Sequence, residues 1–365
     1  MTSFTILALG GDGIGPEVVA CGLKLSDAVA SQAQIQLHIQ EDLLHGAAWQ
    51  AYGTFCRDET VRAAQAADAV LVGAVGGPQW DGIRVAGGPE MQDGLMRLRK
   101  ALDTYAGLRP ARAWPALTAL TPYKSTLLTG ADVMVLRELT GGAFFSEPRG
   151  HDVRAGKRYA FDTTAYDESE IARIAHVGFS LARSRRGTLV SADKANVMES
   201  GMLWRQIVSE VGRDYPDVTL LHLYADNVVY QLARRPADFD VILGDNLFGD
   251  ILSDQAGAIA GSLGMLPSAC LHGLPQGRER RPGIFEAVHG SAPDIAGKGI
   301  ANPYGTLLSV ALMFEYAFGQ PLEARRIEAA VATALEGGWR TPDIGGHHST
   351  VAVTDAVIAA YRVIG

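Results

Sequence analysis

The chain has 365 residues, 47% of them hydrophobic and 20% charged, which excludes a disordered or fibrous protein and supplies apolar material for a large core. At roughly 150 residues per domain the length suggests two domains. Thirty-two basic against 40 acidic side chains give a net charge of −8, and without a Lys/Arg run this speaks against a nucleic-acid partner.

Cys21, Cys56 and Cys270 stand outside any ligand-like spacing and read as reduced structural thiols of a cytosolic protein. The N-terminus shows no basic region followed by a small-residue cleavage site, so export is not expected. The longest stretch free of Asp, Glu, Lys and Arg, residues 255–277, is interrupted by Pro267 and several glycines. No membrane span is expected from it.

Along the chain, residues 4–9 form a short apolar run ending at Gly10, and Pro16 opens an amphipathic stretch to about Ala30. This predicts a strand, a glycine-rich loop and a helix with proline in its first turn. In the loop, Gly11 and Gly13 would need a third glycine at position 16, which is proline. The dinucleotide fingerprint therefore fails, and a tight turn before a helix remains.

A helix is predicted near 58–67 and a strand at 69–73, closed by Gly76-Gly77-Pro78. Further strands are expected at 133–136, 188–192, 218–223 and 240–244, with helices at 168–185, 201–211 and 228–233. Asp167 and Glu170 have capping-box spacing. From Asp250 onward the chain reads as mostly helical, with a loop at about 282–304 and a C-cap pair at Gly337-Gly338. The alternation defines an α/β protein with a mostly parallel sheet covered on both faces.

Three arginines stand beside apolar or rigid neighbours: Arg99, Arg109 and Arg137. A guanidinium fork matches a carboxylate, so several meeting in one pocket would suit a di- or tricarboxylate; singly, each also fits a structural ion pair. Asp250 and Asp254, four apart on a helix, share one face, where a Mg²⁺ or Mn²⁺ ion would relieve their repulsion. Two solvated carboxylates fit the same pattern.

Lys194 and Asp226 follow predicted strands, the place where open α/β sheets put their sites. A lysine there could accept an alcohol proton, although an ordinary ion pair fits equally. The run His289-Gly290-Ser291-Ala292-Pro293-Asp294-Ile295, with Asn302 beyond it, is rich in turn residues and short polar groups. It reads as a functional loop or a plain surface connection.

Five segments in order, Gly76–Pro78, Arg137–Gly142, Asp193–Asn196, Phe248–Asp254 and His289–Pro303, resemble the isocitrate/isopropylmalate family of β-decarboxylating dehydrogenases. The resemblance spans residues 10 to about 355 and is closest to members acting on 3-isopropylmalate. It implies a two-domain α/β fold that is not a Rossmann fold, with one domain of residues 1–99 plus 255–365 and another of 100–254. It also implies NAD, Mg²⁺ or Mn²⁺, and a homodimer with shared sites.

By the same resemblance Arg99, Arg109 and Arg137 hold the carboxylates of a malate, and Asp226, Asp250 and Asp254 the metal. Leu95, Met96 and Val197 face its alkyl group. Lys194 and Asp226 reach across from the other subunit. Residues 289–295 and Asn302 surround the adenosine, where Asp294 would favour NAD over NADP.

Two departures stand out. Phe144 occupies the place of the family's tyrosine acid, and Gln92 and Asp93 stand nearest a glutamate expected before Arg99. Three readings follow: another proton donor in a 3-isopropylmalate enzyme, a paralogue for a different 3-substituted malate or tartrate-like acid, or a non-catalytic binding relative.

Overall fold

Short runs rich in Val, Ile, Leu and Ala, each too brief for a stable helix, assemble into one sheet in the computed structural model. The structure describes residues 2–275 and 281–364. The strands are β1 (Ser3–Gly11), β2 (Gln36–Asp42), β3 (Ala69–Ala74), β4 (Ala106–Arg112), β5 (Asp132–Glu138), β6 (Gly150–Arg154), β7 (Lys157–Phe161), β8 (Thr188–Asp193), β9 (Thr219–Tyr224), β10 (Val241–Gly244), β11 (Pro267–Leu271) and β12 (Gly283–Ala287).

Ten of them form a sheet in the order β2-β1-β3-β12-β11-β4-β5-β10-β8-β9, and β6 and β7 make a separate antiparallel hairpin. The blocks β2-β1-β3-β12 and β5-β10-β8-β9 are parallel within themselves. They are joined by β11 and β4, whose pairings are antiparallel. Strands β3, β10, β11 and β12 are buried along their whole length, because helices cover both faces.

The helices Gly15–Ala33, Glu168–Ser184 and Asn246–Ala260 pack on this sheet. The capping box at Asp167 and Glu170 forms as expected. All three cysteines are free and buried, and burial pushes the Cys56 thiol up to about 11.

Several elements differ from the sequence expectation. The region after Asp250 is not only helix and loop, since β11 and β12 lie within it as central strands. Their five-residue apolar runs lack the length to show a period, which hides them from pattern reading. Strand β2 escapes notice because it is a polar edge strand with no fully buried residue, and β4 because it carries Arg109, Pro110 and Arg112. The helix expected from residue 228 begins at Ala225, which puts Asp226 in its first turn.

The charge-free stretch from 255 breaks into a helix end at Ala260, a turn and β11; its last residues, Gln276 and Gly277, lie outside the described residues. Among the described residues no helix is long and apolar enough to cross a membrane.

Candidate active site

The helix Asn246–Ala260 begins where the Asp245 carboxylate accepts from the Phe248 backbone N–H at 2.7 Å. Gly249 faces β5, and a Cβ there would stand 2.8 Å from Arg137 Cβ, so only glycine lets the helix approach this closely. The approach brings Asp250 against two strands at once. Its Oδ1 accepts from Arg109 Nη1 at 3.1 Å and from Arg137 Nη1. Arg109 also donates to Ser253 Oγ at 2.7 Å.

Arg99, in the helix Gly94–Ala101, donates to Glu286 at 2.7 Å, with both side chains about a tenth exposed at 11% and 9%. Burial first, then Arg109 and Arg99, press Arg137 below the ordinary guanidinium range, while Asp250 opposes them. Arg137 therefore feels the charge of both other expected arginines. A carboxylate-rich ligand would relieve that repulsion.

Asp254 lies one turn beyond Asp250 on the same helix. Burial and then the Asp250 charge raise its carboxyl, with Arg109 and Arg137 pulling the other way. A pair of close carboxylates offering only oxygen donors is the donor set of a hard divalent cation. Among the described residues of a single chain, no group of three or more His, Cys, Asp or Glu side chains is arranged to hold a metal.

Lys194 follows β8 directly and bonds Asp226 at the start of the helix Ala225–Arg234. This hydrogen bond holds the exposed Asp226 carboxyl below its usual range. Val197, three residues past Lys194, is 70% exposed.

The loop at 289–297 packs against the first glycine loop. The Ile14 N–H donates to Ser291 O at 2.8 Å, and a Cβ on Gly13 (φ 55°) would fall 1.9 Å from that oxygen. Gly290, Pro293 and Asp294 are exposed, Ser291 is buried, and Ala292 and Ile295 are partly buried. His289 Nδ1 sits 3.0 Å from Gly290 O, whereas its Nε2 is buried without a hydrogen-bond partner. An orphaned ring nitrogen in such a loop fits a polar ligand such as a nucleoside. Asn302 differs: its side chain is buried and engaged with Asp343 at 2.9 Å and the Tyr304 N–H at 2.9 Å.

Phe144 lies in the turn Gly142–Phe144 with its ring 5.4 Å from Arg137 Cζ. Asp93 is occupied as the N-cap of the helix Gly94–Ala101, accepting from the Leu95 and Met96 N–H groups at 2.7 and 3.1 Å. Gln92 bonds the Val85 backbone. A cavity of about 660 Å³ opens beside them, lined by His45, Trp80, Gln92, Met96, Glu147 and Arg149 among others. Leu95, by contrast, is buried. A larger concavity of about 770 Å³ around Tyr105, Arg173 and His272 holds none of the expected residues.

Some groups at the site carry no local sequence signal. Asp12 receives the Gly46, Ala47 and Gly76 N–H groups at 3.1, 2.9 and 2.9 Å and meets His45 Nδ1 at 2.9 Å, which ties three loops together. Asn246 buttresses Arg137, and Glu286 holds Arg99.

A mostly parallel α/β sheet whose helices and strand ends bring arginines and aspartates together defines a site suited to an acidic ligand. The model of the isocitrate/isopropylmalate dehydrogenase family matches residues 5–357. A 3-isopropylmalate dehydrogenase of Methylococcus capsulatus is 48% identical over 364 residues, covering 98% of this chain and 99% of that protein. One of Aquifex aeolicus is 49% identical over 94% of this chain and 92% of its own length. The crystal structure of isocitrate dehydrogenase from Methylococcus capsulatus superposes with a TM-score of 0.85 at 30% identity, covering 98% and 99% of the two chains. The chain belongs to the isocitrate/isopropylmalate dehydrogenase family and is a decarboxylating dehydrogenase.

Proposed function

We propose that the chain catalyses the NAD-dependent oxidative decarboxylation of 3-isopropylmalate to 4-methyl-2-oxopentanoate, a cytoplasmic step of leucine biosynthesis, with Mg²⁺ or Mn²⁺. The observation that carries this reading is the meeting of Arg109 and Arg137 on Asp250, with Arg99 near enough to depress Arg137. Relatives named for that substrate at about half identity support the choice of acid.

In this reading the three arginines hold the two carboxylates, exchanging part of their contact with Asp250 for the substrate. Met96, beside the 660 Å³ cavity, would face the alkyl group together with Val197 and with Leu95, which is buried. Asp250 and Asp254, with Asp226 of the partner subunit, would hold the cation. Residues 289–295 and the Asn302 backbone would hold the adenosine, and the exposed Asp294 would accept from the ribose hydroxyls and repel a 2′-phosphate. When bound, the cation polarises the hydroxyl and carboxylate and the nicotinamide accepts hydride.

Lys194 of the partner subunit, in its neutral amine form, would take the hydroxyl proton and become the ammonium, which Asp226 keeps in place. After CO₂ has left, a proton must return to carbon. Phe144 has none to give, so Lys194 or a water it orients supplies it.

Sharing requires a homodimer. The exposed apolar side chains Met202, Leu221, Tyr230, Leu247 and Ile251 lie on four elements that follow Lys194 in the chain, apolar surface of the kind a second copy would cover. Residues 1–99 with 255–365 form one lobe and 100–254 the other. A second reading, a paralogue for another 3-substituted malate or a tartrate-like acid, is favoured by Phe144 and by the engaged Asp93.

The experiment is a panel of 3-substituted malates and tartrate with NAD and Mg²⁺ or Mn²⁺, read for NADH. Preference for 3-isopropylmalate is expected. Preference for an acid lacking the isopropyl group favours the paralogue, and NAD binding without turnover on any member favours a binding relative.

A further inference from the structure

The turn that carries Lys194 is held by an ion pair, buried on its acidic side, outside the residues assigned so far. Asp193, its side chain 1% exposed, meets Arg205 fork to fork, with Nε to Oδ2 and Nη2 to Oδ1 both at 2.9 Å. Asp193 Oδ1 also accepts the Ala195 N–H at 3.0 Å. Arg205 projects from the helix Glu199–Gly212, which lies so close that a Cβ on Gly201 would stand 2.9 Å from the Lys194 carbonyl carbon. The Lys194 carbonyl itself accepts from Val197 and Met198 at 3.1 and 3.0 Å.

The Lys194 ammonium bonds Asp226, while the oxygens of the adjacent Asp193 are taken by Arg205 and the Ala195 N–H. His222 Nδ1, 3.8 Å from Asp193 Oδ2, is too far for a hydrogen bond; with Arg205 in place, burial and then the Arg205 charge lower its pKa, against the pull of Asp193. Arg205 Cζ lies 5.1 Å and Lys194 Nζ 5.6 Å from the Tyr224 ring, so both cations border the same side chain.

We propose that Arg205 is a positioning residue for Lys194: its guanidinium fork occupies both oxygens of Asp193, which leaves Lys194 to pair with Asp226 and extend toward the reacting acid. Without Arg205 the buried Asp193 carboxylate would lose its two-pronged partner and keep only His222 Nδ1, at 3.8 Å, as a nearby basic group, a costly state that the neighbouring ammonium would relieve by turning inward. A lysine in place of Arg205 restores the charge but not the two-pronged geometry.

This inference builds on the proposed role of Lys194, and its test has one arm that does not depend on activity. In competitive amine acylation of the full-length protein at one pH, read residue by residue by mass spectrometry, Lys194 labelling in Arg205→Met should fall several-fold. Labelling of Lys24, Lys100 and Lys298 should stay unchanged, and Arg205→Lys should lie between the two proteins. Unchanged Lys194 labelling in a folded Arg205→Met or Arg205→Lys protein overturns the proposal, whether or not the wild type oxidises 3-isopropylmalate.

In the kinetic arm kcat should fall about 10- to 100-fold in Arg205→Met with KM within about twofold, with partial recovery in Arg205→Lys. A loss carried by KM alone also overturns it. Absence of turnover in the wild type counts against the proposed function, and the labelling then decides the role of Arg205.

Discussion

Asn246 Oδ1 stands 3.0 Å from Nε and 2.8 Å from Nη2 of Arg137, gripping one edge of the guanidinium while the other donates to Asp250. The Asn246 amide donates in turn to Gly141 O at 2.9 Å, beside the turn that holds Phe144. Replacement by alanine would leave two buried N–H groups of Arg137 without a partner, at about 1–3 kcal/mol of stability. Asn246→Ala should lower Tm and raise KM for the hydroxy acid by about 10-fold or more, because a loosened arginine binds carboxylate less well. Steady-state kinetics and calorimetry check this; an unchanged KM would show that Arg137 needs no such support.

Phe144 packs beside Arg137 with no proton to offer. Phe144→Tyr should raise the decarboxylation rate, since a positioned general acid is worth roughly 100- to 10,000-fold in favourable cases. The measurement is CO₂ release in single turnover. An unchanged or lower rate would mean that another group already donates efficiently.

Asp294 is exposed at the tip of the loop that packs on Gly13. Removing its charge in Asp294→Ser should narrow the preference for NAD over NADP, by about 10-fold or more in the ratio of kcat/KM values. An unaltered ratio would place the discriminating charge elsewhere.

Burial, and after it the charge of Glu138, push the Asp245 carboxyl from 3.8 up to about 6, against the hydrogen bond from Phe248. Because the folded value is raised, the stability this group contributes is full below pH 3.8 and is lost as pH rises through about 6. Above that pH its charge costs about 2–3 kcal/mol. Asparagine keeps the helix cap without the charge. Asp245→Asn should melt above the wild type at pH 8, with the gap closing toward pH 4. A gap independent of pH would mean that the carboxyl is not protonated in the folded state.

The outer frame of this site could be read from the chain, and its centre could not. The position of Lys194 and Asp226 just past two strands was readable, because β8 and β9 formed where expected. The meeting of the arginines was not. Asp250 lies 141 and 113 positions from Arg109 and Arg137, and only the β4–β5–β10 pairing and the bare Gly249 bring them into contact. Strands β11 and β12 were missed because central strands buried on both faces carry no alternation. The parts played by Asp12, Asn246 and Arg205 were hidden for a different reason: a lone polar side chain shows no period, and its partners are set by tertiary contacts.

The account depends on one chain's arginines and aspartates working with Lys194 of the partner subunit. Two single variants, Lys194→Met and Asp250→Asn, should each be nearly inactive alone. Unfolded together and refolded as mixed dimers, they should recover about a quarter of wild-type turnover, because half the dimers would carry one complete site of two. A mixture as inactive as its parents, although mass spectrometry shows mixed dimers, would contradict the shared site.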